Sequence, residues 1–189
     1  VTLDPVRLIS LLSYPGLFLI PAAETGLLLG FFLPGDSFLV AVGILAAGEV
    51  LRLDWALALL FLGSYLGHQL GYLWGRRLGE GLVRRMRPEH FRKTRAFLAR
   101  RGTLALVLAP FIPVVRTGMP FVAGAFRIPY PRFALLSLVA SLLWTQGVTL
   151  LGYFLGRSVP HVDRYLLPLI LLVVGLSLLP LAWGRKGTG

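Results

Sequence analysis

The 189-residue chain has no cysteine, so no disulfide, thiolate metal site or cysteine nucleophile can form. Charge is also scarce: 14% of residues are charged, against about 25% in an average soluble domain. Carboxylates are the scarcest charges, with 8 Asp and Glu facing 19 Lys and Arg. The only histidines, His68, His90 and His161, fall in segments of different character. A shared metal site is therefore not expected, and neither is a cofactor.

What is abundant is apolar sequence. The chain is 56% hydrophobic with a mean hydropathy of +0.77, and its long apolar runs predict one polytopic membrane domain. In that setting the basic excess reads as loops that set topology and touch anionic lipid heads. Nucleic acid is not an expected partner. Residues Leu8 to Ile20 read as a retained membrane helix, because Asp4 and a single early Arg7 precede them and no small-x-small cleavage site follows.

Two stretches organise the rest. The first runs from Glu24 to Ser37 (ETGLLLGFFLPGDS) and places two carboxylates and a Pro-Gly pair in apolar surroundings. The second runs from Pro110 to Pro120 (PFIPVVRTGMP) and has the same character with the opposite charge, Arg116. Broken backbone and buried charge are tolerated together mainly where they line a site inside a membrane protein. The two stretches are expected to face each other.

In chain order, 1–21 is an N-terminal helix interrupted at Pro15-Gly16. Residues 22–48 are divided by Pro34-Gly35-Asp36 into arms of about 18 Å, each roughly half of a hydrocarbon core of about 30 Å. This predicts a re-entrant hairpin, the alternative being one kinked span. A full span follows at 53–75, with Gly63, Gly67, Gly71 and Gly75 on one face for close helix approach. Residues 76–101 carry ten basic and two acidic residues. Within them a helix should start at Pro88-Glu89 and stop at Gly102, with Phe91, Thr94, Phe97 and Leu98 on one side and its arginines toward lipid phosphates. A second broken stretch occupies 103–126, and spans follow at 133–156 and 165–183. Placing 76–101 in the cytoplasm puts Arg127, Arg132, Arg185 and Lys186 there too, as the positive-inside rule requires.

Gly71-Tyr72-Leu73-Trp74-Gly75-Arg76 recurs as Gly152-Tyr153-Phe154-Leu155-Gly156-Arg157. Each copy closes a span that follows a broken stretch, one ending inside and one outside. The expected fold is an all-α membrane protein: an inverted repeat of re-entrant hairpin plus transmembrane helix, with additional terminal transmembrane helices. Such repeats are typical of secondary transporters.

At these residues the chain resembles the DedA family, whose shared region is also called the VTT or SNARE-associated domain. The resemblance rests on Glu24 through Phe32-Leu33-Pro34-Gly35-Asp36-Ser37, on Gly71-Tyr72-x-x-Gly75-Arg76, and on Phe111-Ile112-Pro113-Val114-Val115-Arg116-Thr117 to Pro120-x-x-Ala123-Gly124. Trp144 and Gly152-Tyr153-x-x-Gly156 also fit. It covers roughly residues 10 to 183. It implies a bacterial inner-membrane protein with two facing re-entrant hairpins that transports lipid, particularly undecaprenyl phosphate or a phospholipid, in several members at the expense of the proton motive force. The functional positions it carries over are Glu24, Asp36 and Arg116. Ala109-Pro110 stands where the family usually has Gly-Arg, and His68 near where it often has Asp.

Arg116, with Pro113 and Thr117 beside it, is the candidate substrate-binding group, since a guanidinium pairs with phosphate by charge and a forked hydrogen bond. The alternative is a structural pairing with Asp36 or Glu24. Glu24 and Asp36 are the candidate proton carriers, Glu24 having the alternative of a solvated charge at the end of an arm. His68 and Arg127 are possible accessory residues. Ser37 is expected to cap the second arm. The expected partners are membrane lipids and protons, and a homodimer is among the open arrangements. No Ser-His-Asp arrangement is evident, so a non-enzyme is expected. An intramembrane lipid-modifying enzyme and a non-transporting scaffold are the rival readings.

Overall fold

The structure is a computed structural model that describes residues 5–27, 35–86 and 88–159 and positions 164, 168, 171 and 175. Among these residues it is all helical, with no strand: α1 (Pro5–Gly26), α2 (Gly35–Ala47), α3 (Leu53–Met86), α4 (Pro88–Arg101), α5 (Leu104–Leu108), a 3₁₀ turn (Ala109–Phe111), α6 (Pro113–Ala125) and α7 (Tyr130–Ser158). The turn expected at Pro34 and most of the span expected at 165–183 lie outside the described residues.

Several boundaries follow from local chemistry. α4 starts at Pro88 and ends before Gly102, whose φ of 57° is the left-handed stop glycine permits. α6 starts at Pro113 because Ile112 is held extended (φ −120°, ψ 106°), as a residue before proline prefers. α3 is kinked at Gly79 (φ 74°, ψ 170°), where the apolar span gives way to basic sequence. Two boundaries differ from expectation. α1 runs through Pro15 and Pro21 to Gly26, the cost of two missing donors being tolerable in a long packed helix. Ser37 is not a cap but sits inside α2, whose first turn carries Asp36, because the helix begins directly after Pro34.

Two helical stretches are long and apolar enough to cross a membrane, Leu53–Gly81 and Tyr130–Ser158. Their faces are arranged for lipid. On α3, Leu62, Leu66, Leu70 and Leu73 are exposed along one side, while Ser64 and His68 are buried. On α7, Leu135, Leu142, Leu143, Leu151 and Phe154 are exposed, while Ser137, Ser141, Thr145 and Thr149 are buried. Large apolar side chains outward and small or polar ones inward is the order that a hydrocarbon solvent selects.

The chain divides into two units. One is built from the described residues of Val1–Pro21, Pro34–Gly63 and Thr145–Gly189. In it α2 lies backbone to backbone on the end of α7: a Cβ on Gly43 would sit 2.1 Å from the Thr149 carbonyl oxygen, and one on Gly152 2.4 Å from that of Val40. The Tyr14 hydroxyl accepts from the Arg52 amide at 3.1 Å, and Gln146 Nε2 donates to the Leu57 carbonyl at 3.1 Å.

The other unit is built from the described residues of Ala22–Leu33 and Ser64–Trp144. Here α6 lies on α3 in the same manner: a Cβ on Gly75 would sit 2.1 Å from the Phe121 carbonyl oxygen, and one on Gly124 2.0 Å from that of Tyr72. The two copies of the Gly-Tyr-x-x-Gly-Arg sequence thus each receive a short helix. Tyr72 anchors this unit's core. It stacks on Phe133 at 4.6 Å, donates its hydroxyl hydrogen to the Ile128 carbonyl, and packs with Leu106, Val115 and Met119. The expected apolar side of α4 is buried: Phe91 packs with Phe121 and Val122, Thr94 is fully buried, and Phe97 and Leu98 pack on the core. Its cations Arg92, Lys93, Arg95, Arg100 and Arg101 are exposed.

Candidate functional site

The second unit holds a buried ion pair. Arg116 lies on the first turns of α6, its amide closing that turn on the Ile112 carbonyl at 2.8 Å. Its Nη2 donates to Glu24 Oε1 at 2.6 Å, and the two side chains are only 5% and 1% exposed. Glu24 stands on the last turn of α1, which can press onto α3 because position 67 is glycine. A Cβ there would lie 1.9 Å from Thr25 Oγ1 and 2.8 Å from the Ala22 carbonyl oxygen. The Arg116 guanidinium also lies 4.5 Å from the centroid of the Trp144 ring, a cation–π contact in desolvated surroundings. Two opposite charges held together in this way form a buried pair of zero net charge.

A polar network adjoins the pair. Thr25 Oγ1 donates to the Ser64 carbonyl at 3.3 Å. His68 Nδ1 lies 2.7 Å from the same carbonyl and 3.3 Å from Ser141 Oγ, and Ser64 Oγ donates to Ser141 Oγ at 3.4 Å. Gln69 Nε2 donates to Ser137 Oγ at 3.0 Å. α7 thus turns Ser137, Ser141 and Trp144 toward this network, at the i, i+4, i+7 spacing of one helix face.

The structure therefore joins Glu24 and Arg116, and rules out for Glu24 the alternative of a solvated charge. Thr117 is buried beside Arg116, and Pro113 opens the same helix. Asp36 belongs to the other unit and is exposed on the first turn of α2. Arg127 does not join the pair. It is exposed past the end of α6 at φ 54°, 11 residues and about 16 Å of helix from Arg116. Sequence reasoning missed Trp144, Ser64 and Ser141 as members of the site. The signal was present: serine, serine and tryptophan at helical spacing within an apolar span, and Ser64 four residues before His68. Among the described residues no group of three or more His, Asp or Glu side chains is placed to hold a metal.

The chain matches the VTT domain family over residues 33–154, which takes in α2 and reaches near the end of α7. It belongs to the VTT-domain, or DedA, family. It is similar to Protein DedA of Escherichia coli (strain K12), with 38% identity over 174 residues, 88% of this chain and 79% of that protein. An uncharacterized membrane protein of Mycobacterium tuberculosis (strain ATCC 25618 / H37Rv) is 38% identical over 173 residues, 88% of this chain and 75% of that protein. Inner membrane protein YqjA of Escherichia coli (strain K12) is 34% identical over 185 residues, 90% of this chain and 84% of that protein. No solved structure gives a significant match. Family membership and the lipid-facing surfaces of α3 and α7 agree that this DedA-family chain is a membrane protein.

Proposed function

We propose that the chain is a proton-coupled lipid transporter that moves a lipid phosphate, undecaprenyl phosphate or a phospholipid, across the bacterial inner membrane. The observation that carries this reading is the buried Arg116–Glu24 pair over Trp144. A lipid phosphate crossing hydrocarbon needs its charge matched at every depth. Arg116 matches it, and the first turn of α6, opened by Pro113, adds the positive end of a helix. When phosphate takes Arg116, Glu24 loses its partner and a proton neutralises it. Asp36 is the second proposed proton carrier.

The helix lengths support two re-entrant pairs. α2 and α6 have 13 residues each, about 20 Å, which is too short for a core of about 30 Å. The positive-inside rule supports a cytoplasmic 76–101 segment and C-terminus. No chemical step is proposed. Ser141 and His68 are in contact, but Nδ1 faces a carbonyl and must itself be a donor there, so it cannot take the serine proton. The test is translocation of lipid phosphate in proteoliposomes with and without a pH gradient. Asp36→Asn retaining full gradient dependence would remove Asp36 from the coupling.

A further inference from the structure

The polar network beside the ion pair contains one titratable group that the transport reading leaves unused. His68 is 5% exposed on α3, and its Nδ1 is 2.7 Å from the Ser64 carbonyl oxygen. A carbonyl only accepts, so Nδ1 carries a hydrogen and Nε2 is the nitrogen left to bind a proton. Ser141 of α7 contacts His68, and three residues on along the same α7 face Trp144 contacts Arg116. Residues at i and i+3 are neighbours on a helix, so the histidine and the ion pair flank adjacent positions of one surface. Among the described residues the charge that acts on His68 is Arg116 from α6, and Glu24 from α1 is joined to it through Arg116 and through its neighbour Thr25, whose hydroxyl shares the Ser64 carbonyl with His68. The α7 face contributes Ser137, Ser141 and Trp144, and its cation Arg132 is exposed nine residues, about 14 Å, before Ser141.

We propose that His68 Nε2 is a proton-binding site additional to Glu24 and Asp36, which sets the charge of the Arg116–Glu24 site and thereby its readiness to take an anion. With His68 neutral, the carboxylate and guanidinium cancel and the site has no net charge. A proton on Nε2 makes it +1. The new cation competes with Arg116 for Glu24 and frees the guanidinium for an anionic headgroup. In buried surroundings such charges interact with little screening, so one proton suffices to bias the pair. The purpose given to this proton rests on the transport reading, but the proton site itself is measurable without transport.

The test uses the full chain in lipid nanodiscs. Replacing Trp55, Trp74 and Trp183 by Phe leaves Trp144 as the sole tryptophan, stacked on Arg116. Its emission is followed from about pH 8 to about 3. The expected result is a one-proton transition that disappears in His68→Gln and persists in His90→Gln and His161→Gln. A transition that survives His68→Gln overturns the proposal, as does no transition at all. Should His68→Gln fail to fold, the His90→Gln/His161→Gln protein keeps His68 as its only histidine. Nitrogen NMR must then show Nε2 gaining a proton in the same range; an unchanged spectrum overturns the proposal. A flip assay that fails while Trp144 titrates through His68 counts against the transport reading alone.

Discussion

Arg116 and Glu24, 92 residues apart in sequence, meet at 2.6 Å with almost no exposure. Breaking a buried pair from one side strands a charge, at a cost of about 3–5 kcal/mol. Glu24→Gln and Arg116→Gln are each expected to lower thermal stability in detergent by about that amount and to abolish transport. The double replacement, which leaves no lone charge, should recover most of the stability and none of the transport. Transport by the double variant would make the pair structural.

Trp144 tests the other side of the guanidinium. Trp144→Phe keeps a weaker aromatic face and is expected to reduce transport severalfold, while Trp144→Leu removes that face and should reduce it further. The loss in stability should be about 0.5–2 kcal/mol, the range of a cation–π contact. Equal activity for the two variants would show that Trp144 acts by bulk alone.

The helix-contact glycines make a stability prediction with an internal control. A Cβ at Gly67 or Gly124 meets atoms at 1.9 and 2.0 Å, whereas one at Gly147 or Gly81 meets nothing within 4 Å. Gly67→Ala and Gly124→Ala should each destabilise by about 1–3 kcal/mol by overpacking. Gly147→Ala and Gly81→Ala should be neutral or slightly stabilising. Melting curves of the four proteins check this.

Part of this was legible in the sequence because it depends on local rules. Proline at Pro88 and glycine at Gly102 mark the ends of α4, and the four-residue glycine spacing of α3 gives its contact face. The opposite charges of Glu24 and Arg116 in apolar runs announced a pair. What sequence could not supply was which carboxylate Arg116 takes. That choice is made by long-range packing, through the close approach of α1 at Gly67. Nor does any local rule give the burial of α4's apolar side on α6, or the placing of Trp144 under a guanidinium. Pro15 and Pro21 misled for a related reason: packing overrides the helix-breaking tendency of proline.

The absence of cysteine makes the topology directly measurable. Ala96→Cys on α4 and Glu49→Cys after α2 are both exposed positions. An impermeant thiol reagent is expected to label position 49 from outside the cell and position 96 only after the cytoplasmic face is opened. Labelling of both from the same side would refute the proposed orientation.

The most direct measurement is movement of undecaprenyl phosphate between the leaflets of proteoliposomes, with a common phospholipid as comparison and Arg116→Gln as control. Translocation that requires Arg116 and responds to an imposed pH gradient is expected. Equal translocation of either lipid by the wild-type and Arg116→Gln proteins, or none by the wild type, would contradict it.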